Sequence, residues 1–338
     1  MKRLHKGYLV ALLLVICIVL YLQSTFIYCF LQRCSLKDKY DADFDYSSLI
    51  TDPGIMFVQT TNEVEPTPLA VCAVESAARE NPDKPVYYFM KGLSGNLSQY
   101  PFPQYVAAPM LSSIKNVVLV PLRLKALFQN TPLSFWYQQV NPYRQQYWIH
   151  VLSDACRLAV LWKYGGIYLD TDIISLKPLQ FTNFICAEGY MTANGAALGF
   201  QDHHQFMWDC MEDYVINYNG QIWGQQGPHL ISRVLKHWCQ SDNLGKFLDL
   251  QCNGISYLSP RYFYPIKYTE WQRFFQPWNK NDIESFFSDT KGVHIWNFKN
   301  VGQQKRVVAG SGTLIENLFI KYCPTTYKVL VKRSSFIQ

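Results

Sequence analysis

The stretch that most limits what this chain can fold into is 162–176, WKYGGIYLDTDIISL. A helical pattern of apolar residues runs into the pair Gly165-Gly166, and glycine tolerates the left-handed cap that most residues avoid, so the helix is expected to end there. Ile167, Tyr168 and Leu169 then read as a short buried strand, β-branched and aromatic in character. Asp170 and Asp172 follow, with Thr171 between them. Two carboxylates where a strand opens into a loop can present oxygens to one hard cation, Mg²⁺ or Mn²⁺. A cation so held can clamp a diphosphate and stabilise it as a leaving group, which is what transfer from a nucleotide sugar requires.

D-x-D is by itself a weak signal. Asp41, Asp43 and Asp45 carry two overlapping copies, but that run follows an apolar segment and precedes no strand, so it reads as solvated stem. A phosphatase of the haloacid dehalogenase type also places D-x-D after a strand and binds magnesium. It would want Thr or Val four residues after the first Asp, where this chain has Ile174, and a later paired acidic motif that is not found. The context of helix, double glycine and apolar strand is what sets the Asp170 pair apart.

The N-terminus predicts topology. Residues 8–22 are almost wholly apolar and 26–31 extend the run. As a helix, 8–31 would span about 36 Å at roughly 1.5 Å per residue, enough for a bilayer core. Lys2, Arg3, His5 and Lys6 precede it, which predicts a cytosolic tail at 1–7. No small-residue cleavage site follows. The expected order is therefore tail, transmembrane signal anchor at 8–31, stem at 32–52, and a lumenal domain at 53–338. Eight cysteines lie beyond Cys17 and Cys29, an even number that an oxidising lumen can pair. Asn96-Leu97-Ser98 is an N-glycosylation acceptor if that loop is lumenal. The net charge of +6 gathers in no basic stripe with interleaved aromatics, which argues against a nucleic-acid partner.

Along the domain, strands are expected at 55–59, 86–90 and 117–120 and helices at 67–80 and 147–164, giving a mixed or parallel Rossmann-like α/β sheet. Thr60 to Asn62 lie where such a sheet meets its ligand, though a polar turn is the simpler reading. On the helix at 147–164, Asp154 and Arg157 fall on a different side from the apolar face. Either they pair on the surface or they reach into the cleft above Asp170 to bind sugar hydroxyls. Asn194-Gly195 opens a run of small residues along which backbone can approach a bulky ligand, unless it is simply a packed strand. Trp223 with Gln225 and Gln226 offers an aromatic face for a sugar and two amides for its hydroxyls. His203-His204 reads as surface. His294, in a strand-like segment, could complete a cation's coordination.

Six blocks in order, SDACRLAVLWKYGGIYLDTD, NGAALGF, YNGQIWGQQGP, FYPI, VHIWN and YCPTT, run from Ser153 to Thr326. They resemble the alpha-1,4-glycosyltransferase family of lactosylceramide 4-alpha-galactosyltransferase and alpha-1,4-N-acetylglucosaminyltransferase. The resemblance implies a type II Golgi membrane enzyme of GT-A fold that transfers a hexose from its UDP-sugar with retention, using Mn²⁺ (or Mg²⁺). It implies UDP-galactose or UDP-N-acetylgalactosamine as donor and a glycolipid as acceptor, with N-acetylglucosamine transfer to glycoproteins, or an inactive sugar-nucleotide-binding escort, as alternatives. Asp170, Asp172 and His294 become the expected metal ligands; Asp170, Asp172, Gln225 and Gln226 the expected catalytic residues; Asp154, Arg157, Tyr168, Asn194, Gly195 and Trp223 the expected donor contacts. Similarity of D-x-x-R followed by D-x-D to glucosylating bacterial toxins favours the cleft reading of Asp154 and Arg157. Same-face attack is the expected retaining route, with Glu188 and Asp202 left open as nucleophiles. Homo-oligomers and complexes with other Golgi transferases are also left open.

Overall fold

Strands Gly54–Gln59 (β1), Val86–Met90 (β2) and Val117–Pro121 (β3) read as near-continuous apolar runs, and a strand covered on both faces needs that pattern. The computed structural model describes residue 41, residues 43–94, residue 100 and residues 103–332. In it these strands pair in parallel with one another and, through β1, with Gly166–Leu169 (β4). The mixed α/β sheet continues through Thr192–Phe200 (β7), Phe184–Gly189 (β6), Ile255–Leu258 (β9) and Leu250–Cys252 (β8), in the order β3-β2-β1-β4-β7-β6-β9-β8. Between β4 and β7 the pairing turns antiparallel. A second, two-stranded sheet joins Ile173–Ser175 (β5) to Gly292–His294 (β10).

Chain order places the crevice. From β1 the chain crosses through helix Pro68–Glu80 (α1) to β2 on one side, while β4 lies on the other, so β1 and β4 flank a switch point at their carboxyl ends. Helix Trp148–Tyr164 (α2) leads into β4. Its end differs from a left-handed cap: Gly165 sits at φ 62° and ψ −174°, a conformation reserved for glycine, and Gly166 at φ 101°. A Cβ on Gly166 would lie 2.2 Å from the carbonyl oxygen of Gly54, its partner on β1. The double glycine thus lets two strands approach as well as ending a helix.

The tail at 1–7, the anchor at 8–31, residues 32–40 and 42 of the stem expected at 32–52, and Asn96 lie outside the described residues. Among the described residues no helix is long and apolar enough to cross a membrane. The described residues divide into a large unit, within 46–122 and 127–332, and a small one that holds residues 41 and 43–45 with 123–126. In the small unit Arg123 pairs with Asp41 at 3.4 Å and lies over Phe44. The large unit begins with Tyr46, which is buried against Phe89 and Tyr164.

Cys72 on α1 is bonded to Cys323, just after helix Leu314–Tyr322 (α3), and Cys239 to Cys252, while Cys156, Cys186 and Cys210 are buried thiols. The carboxylate of Glu75 accepts from the backbone N–H of Thr325 and Thr326 beside the first bridge. The YCPTT block is therefore a strap that fastens the last helices onto α1. Cross-links restrict the unfolded chain more when they close longer loops. The 251-residue separation of Cys72 and Cys323 is worth about 5 kcal/mol in that limit, against about 3 kcal/mol for the separation of 13 between Cys239 and Cys252. Denaturant unfolding is expected to show Cys72→Ser losing more stability than Cys239→Ser; equal losses would refute the ordering.

Candidate active site

At the switch point a cleft of about 620 Å³ opens, a size typical of ligand sites. Its floor is the end of β4. Asp170 N–H donates to the carbonyl of Ala196 on β7 at 2.8 Å, which anchors the loop that carries both acids. Asp172 is wrapped by the segment after β10: Ile295 N–H donates to its carbonyl at 2.9 Å, and Asn297 N–H to its Oδ2 at 2.8 Å. Holding that segment puts Trp296 at φ 59° and ψ 41°, left-handed and unusual for a bulky aromatic, with its indole N–H donating to the carbonyl of Ile266 at 2.7 Å.

Asp170, Asp172 and His294 converge, offering donor atoms all within 4.8 Å of one another. His294 Nε2 lies 3.1 Å from Asp172 Oδ1. Burial disfavours the His294 imidazolium, but the Asp172 carboxylate outweighs it and raises the pKa. Burial likewise works to raise the Asp172 pKa, and His294 together with the Asn297 N–H overrides it and lowers the value. Nδ1 of His294 is buried without a hydrogen-bond partner. Two carboxylate oxygens and an imidazole nitrogen form a donor set that suits Mn²⁺ or Mg²⁺, so these residues fit such an ion.

Beside them runs a chain of buried charge. Arg157 Nη1 lies 3.0 Å from Asp154 Oδ1, and Nη2 donates to Asp170 Oδ1 at 3.1 Å. Tyr168 lies under the guanidinium, its ring centroid 5.0 Å from Cζ, and donates its hydroxyl to the same Asp170 oxygen at 2.7 Å. The two residues do pair, but buried against the cleft instead of on the helix surface, and they line the cleft as the second reading expected. Burial works against the Arg157 charge, but Asp170, Tyr168 and Asp154 outweigh it and raise its pKa further. Burial pushes Asp154 up to about 6 despite the guanidinium.

Two glycines make room for this pair. A Cβ on Gly195 would meet Arg157 Nη1 at 2.6 Å, and one on Gly227 would meet Asp154 Oδ1 at 3.0 Å. The small-residue run of β7 is thus a buried strand whose glycine yields space to Arg157. Asn194 lines the cleft and donates to Glu188 Oε2 at 2.7 Å. Trp223 is at the mouth, but its face is covered by Phe298 at a centroid distance of 3.8 Å, and the edge of His150 lies 4.7 Å away. Gln226 borders the cleft with its amide engaged by backbone, donating to Tyr214 O at 2.8 Å and accepting from Asn219 N–H at 3.1 Å. Gln225 does not line the cleft; its amide turns to the carbonyl of Asn217 at 3.4 Å. Asp202 also lies elsewhere, exposed beside His203. Sequence reasoning passed over Tyr264, whose buried hydroxyl is unpartnered and whose ring meets His294 edge-on at 5.5 Å, and over Asn297 and Phe298. The adjoining FYPI and VHIWN blocks were their only signal.

Residues 68–191 match the model described as a glycosyltransferase sugar-binding region containing the DXD motif, and residues 199–330 match the alpha 1,4-glycosyltransferase conserved region. The chain is 45% identical over 279 residues to alpha-1,4-N-acetylglucosaminyltransferase of Homo sapiens, covering 82% of this chain and 81% of that protein. It is 42% identical over 281 residues to lactosylceramide 4-alpha-galactosyltransferase of Pan troglodytes, covering 83% and 78%. Among solved structures, the PaToxG glycosyltransferase is similar at TM-score 0.43 and 20% identity, over 61% of this chain and 75% of that one, a likeness too slight to bear on chemistry.

Gly195→Ala is expected to push the Arg157 guanidinium aside and lower turnover roughly tenfold or more. Its melting temperature should fall below that of Gly302→Ala, where a Cβ meets nothing, while its circular dichroism stays native. Unchanged turnover would refute the role given to Gly195. Because Asp154 is protonated below about 6, its bond to Arg157 weakens there and turnover should fall as pH drops through that value. The same acid limb surviving in Asp154→Asn would assign it to another group.

Proposed function

The chain belongs to the alpha-1,4-glycosyltransferase family, and we propose that it moves galactose or N-acetylgalactosamine from the UDP-sugar to a terminal β-linked sugar of a glycosphingolipid, with retention. The observation that carries this reading is the convergence of Asp170, Asp172 and His294 at the switch point, against the buried Asp154–Arg157 pair. A GT-A organisation belongs to the same reading, as does residence in the Golgi membrane with the catalytic unit in the lumen. The apolar segment at 8–31 with its preceding basic residues supports that placement, and two disulfides suit an oxidising compartment. The higher identity to the N-acetylglucosaminyltransferase favours a second reading, transfer of N-acetylglucosamine to glycoproteins.

Asp170, Asp172 and His294 would hold Mn²⁺ or Mg²⁺, which supplies positive charge for a departing diphosphate. The chain's own groups do the rest. Arg157 is fixed by Asp154 on one side and Asp170 on the other, so its remaining donor edge is oriented before any ligand arrives. Tyr168 holds Asp170 from below and keeps one of its oxygens engaged. Asn297 does the same for Asp172 from the far side of the loop. At the mouth, Ile149, Ile222, Val301 and the partly exposed outer surface of the stacked Trp223–Phe298 pair form an apolar wall against which an acceptor sugar ring can lie.

With Mn²⁺ present, the protein should release UDP from one of UDP-galactose, UDP-N-acetylgalactosamine or UDP-N-acetylglucosamine only when a β-galactoside acceptor is supplied. Asp172→Asn should lower that rate roughly a hundredfold or more while the protein stays folded by circular dichroism. Retained turnover in the variant would overturn the assignment of the acids.

A further inference from the structure

Strand β6 should alternate against β7 like any antiparallel neighbour, but the pairing slips. Ala187 faces Ala193 and Gly189 faces Thr192, so Glu188 is an extra residue with no partner on β7. A bulge of this kind bends the strand and re-aims one side chain, and bulges gather beside active sites. Here the re-aimed side chain is a carboxylate, and it lines the cleft together with Asp154, Arg157, Asp170 and His294.

A second irregularity holds it there. After Ile185 faces Leu198, the next pair is Cys186 with Asn194, so β7 leaves β6 over residues 195–197, the stretch where Gly195 accommodates Arg157. Asn194 is buried and its amide is fixed at both ends: Oδ1 accepts from Ala196 N–H at 2.8 Å, and Nδ2 donates to Glu188 Oε2 at 2.7 Å. Because the backbone N–H claims the oxygen, the nitrogen must face the carboxylate. Among the described residues no lysine, arginine or histidine lies within ion-pair distance of Glu188. A half-buried carboxylate aimed by a bulge, gripped by an amide and, among the described residues, in no ion pair has charge available for a ligand, and His294 already feels that charge across the cleft.

We propose that Glu188 is a catalytic carboxylate facing the donor hexose, stabilising through space the positive charge that develops at the anomeric carbon. This rests on the transferase reading above and assigns a residue to it. In the step, the bond from the anomeric carbon to the diphosphate oxygen breaks and its electron pair leaves with UDP. The acceptor hydroxyl oxygen forms the new bond from the same face, and its proton passes to the departing phosphate oxygen. Glu188 forms no bond and keeps its charge throughout. Asn194 is the positioning residue behind it.

Glu188→Gln is the test, because the amide oxygen of glutamine can still accept from Asn194 while the charge is gone. With whichever UDP-hexose the wild type turns over, kcat should fall roughly a hundredfold, as for loss of a preorganised electrostatic contact. The KM for donor and the affinity for UDP with Mn²⁺, measured by calorimetry, should stay within about twofold of wild type. In Glu188→Ala, added formate should restore part of the lost turnover. Turnover of Glu188→Gln near the wild-type rate would overturn the proposal, as would a parallel loss of UDP affinity and melting temperature, which marks a structural role. A hexosyl adduct recovered on Glu188 would also overturn it, in favour of a covalent route. If the wild type binds UDP but turns over none of the three UDP-hexoses, the transferase reading fails first and takes this assignment with it.

Discussion

A guanidinium held between two carboxylates organises the large unit. Arg157 is buried, and a buried charge is tolerated only when paired and hydrogen-bonded. It meets Asp154 one turn earlier on α2 and Asp170 at the end of β4, so helix and strand are tied at the point where the sheet opens. Its neighbours make room for this arrangement: Gly195 and Gly227 lack side chains where a Cβ would strike the pair, and the Tyr168 ring lies beneath the guanidinium. Removing Arg157 would leave two acids near one another in a poorly solvated cleft, which is more costly than never having placed them there.

The ordered sequence blocks divide into chemistry and scaffold once they are placed in three dimensions. SDACRLAVLWKYGGIYLDTD supplies both acids of the cation cluster and the Asp154–Arg157 pair. VHIWN supplies His294 and bends round Asp172, while FYPI backs it: His294 N–H donates to Phe263 O at 3.0 Å, and Trp296 is tethered to Ile266. YNGQIWGQQGP forms a loop whose Gln226 is spent on its own backbone and whose Gly227 faces Asp154. YCPTT touches no part of the cleft and fastens the far end of the chain to α1. The position of a block in the fold, and not its place in the ordered series, decides whether it serves chemistry or scaffold.

Much of the fold was legible because buried parallel strands leave apolar runs that no surface element shares; β1 and β2 were bounded almost to the residue. Asp170 and Asp172 were legible for the same reason, since they end such a run. What resisted reading depends on pairing that local sequence does not encode. Glu188 enters the cleft through a register slip, and a slip follows from how β6 and β7 settle against each other. Gln225 and Trp223 were read by side-chain chemistry alone, but a loop amide can turn either way, and Phe298, far along the chain, takes the Trp223 face. The double glycine was recognised for the right residue type and the wrong conformation, because the approach of Gly54 is a tertiary fact.

The central claim is that the acids after Leu169 and the distant His294 seat one divalent cation against the diphosphate of a sugar nucleotide. Anomalous scattering from a crystal of the protein grown with UDP and Mn²⁺ measures this directly. The account requires a single strong manganese peak within bonding distance of Asp170, Asp172 or both, with His294 turned toward it and the diphosphate oxygens on its open side. A UDP molecule bound in the cleft with no manganese at those residues, or with the ion coordinated elsewhere, would contradict it.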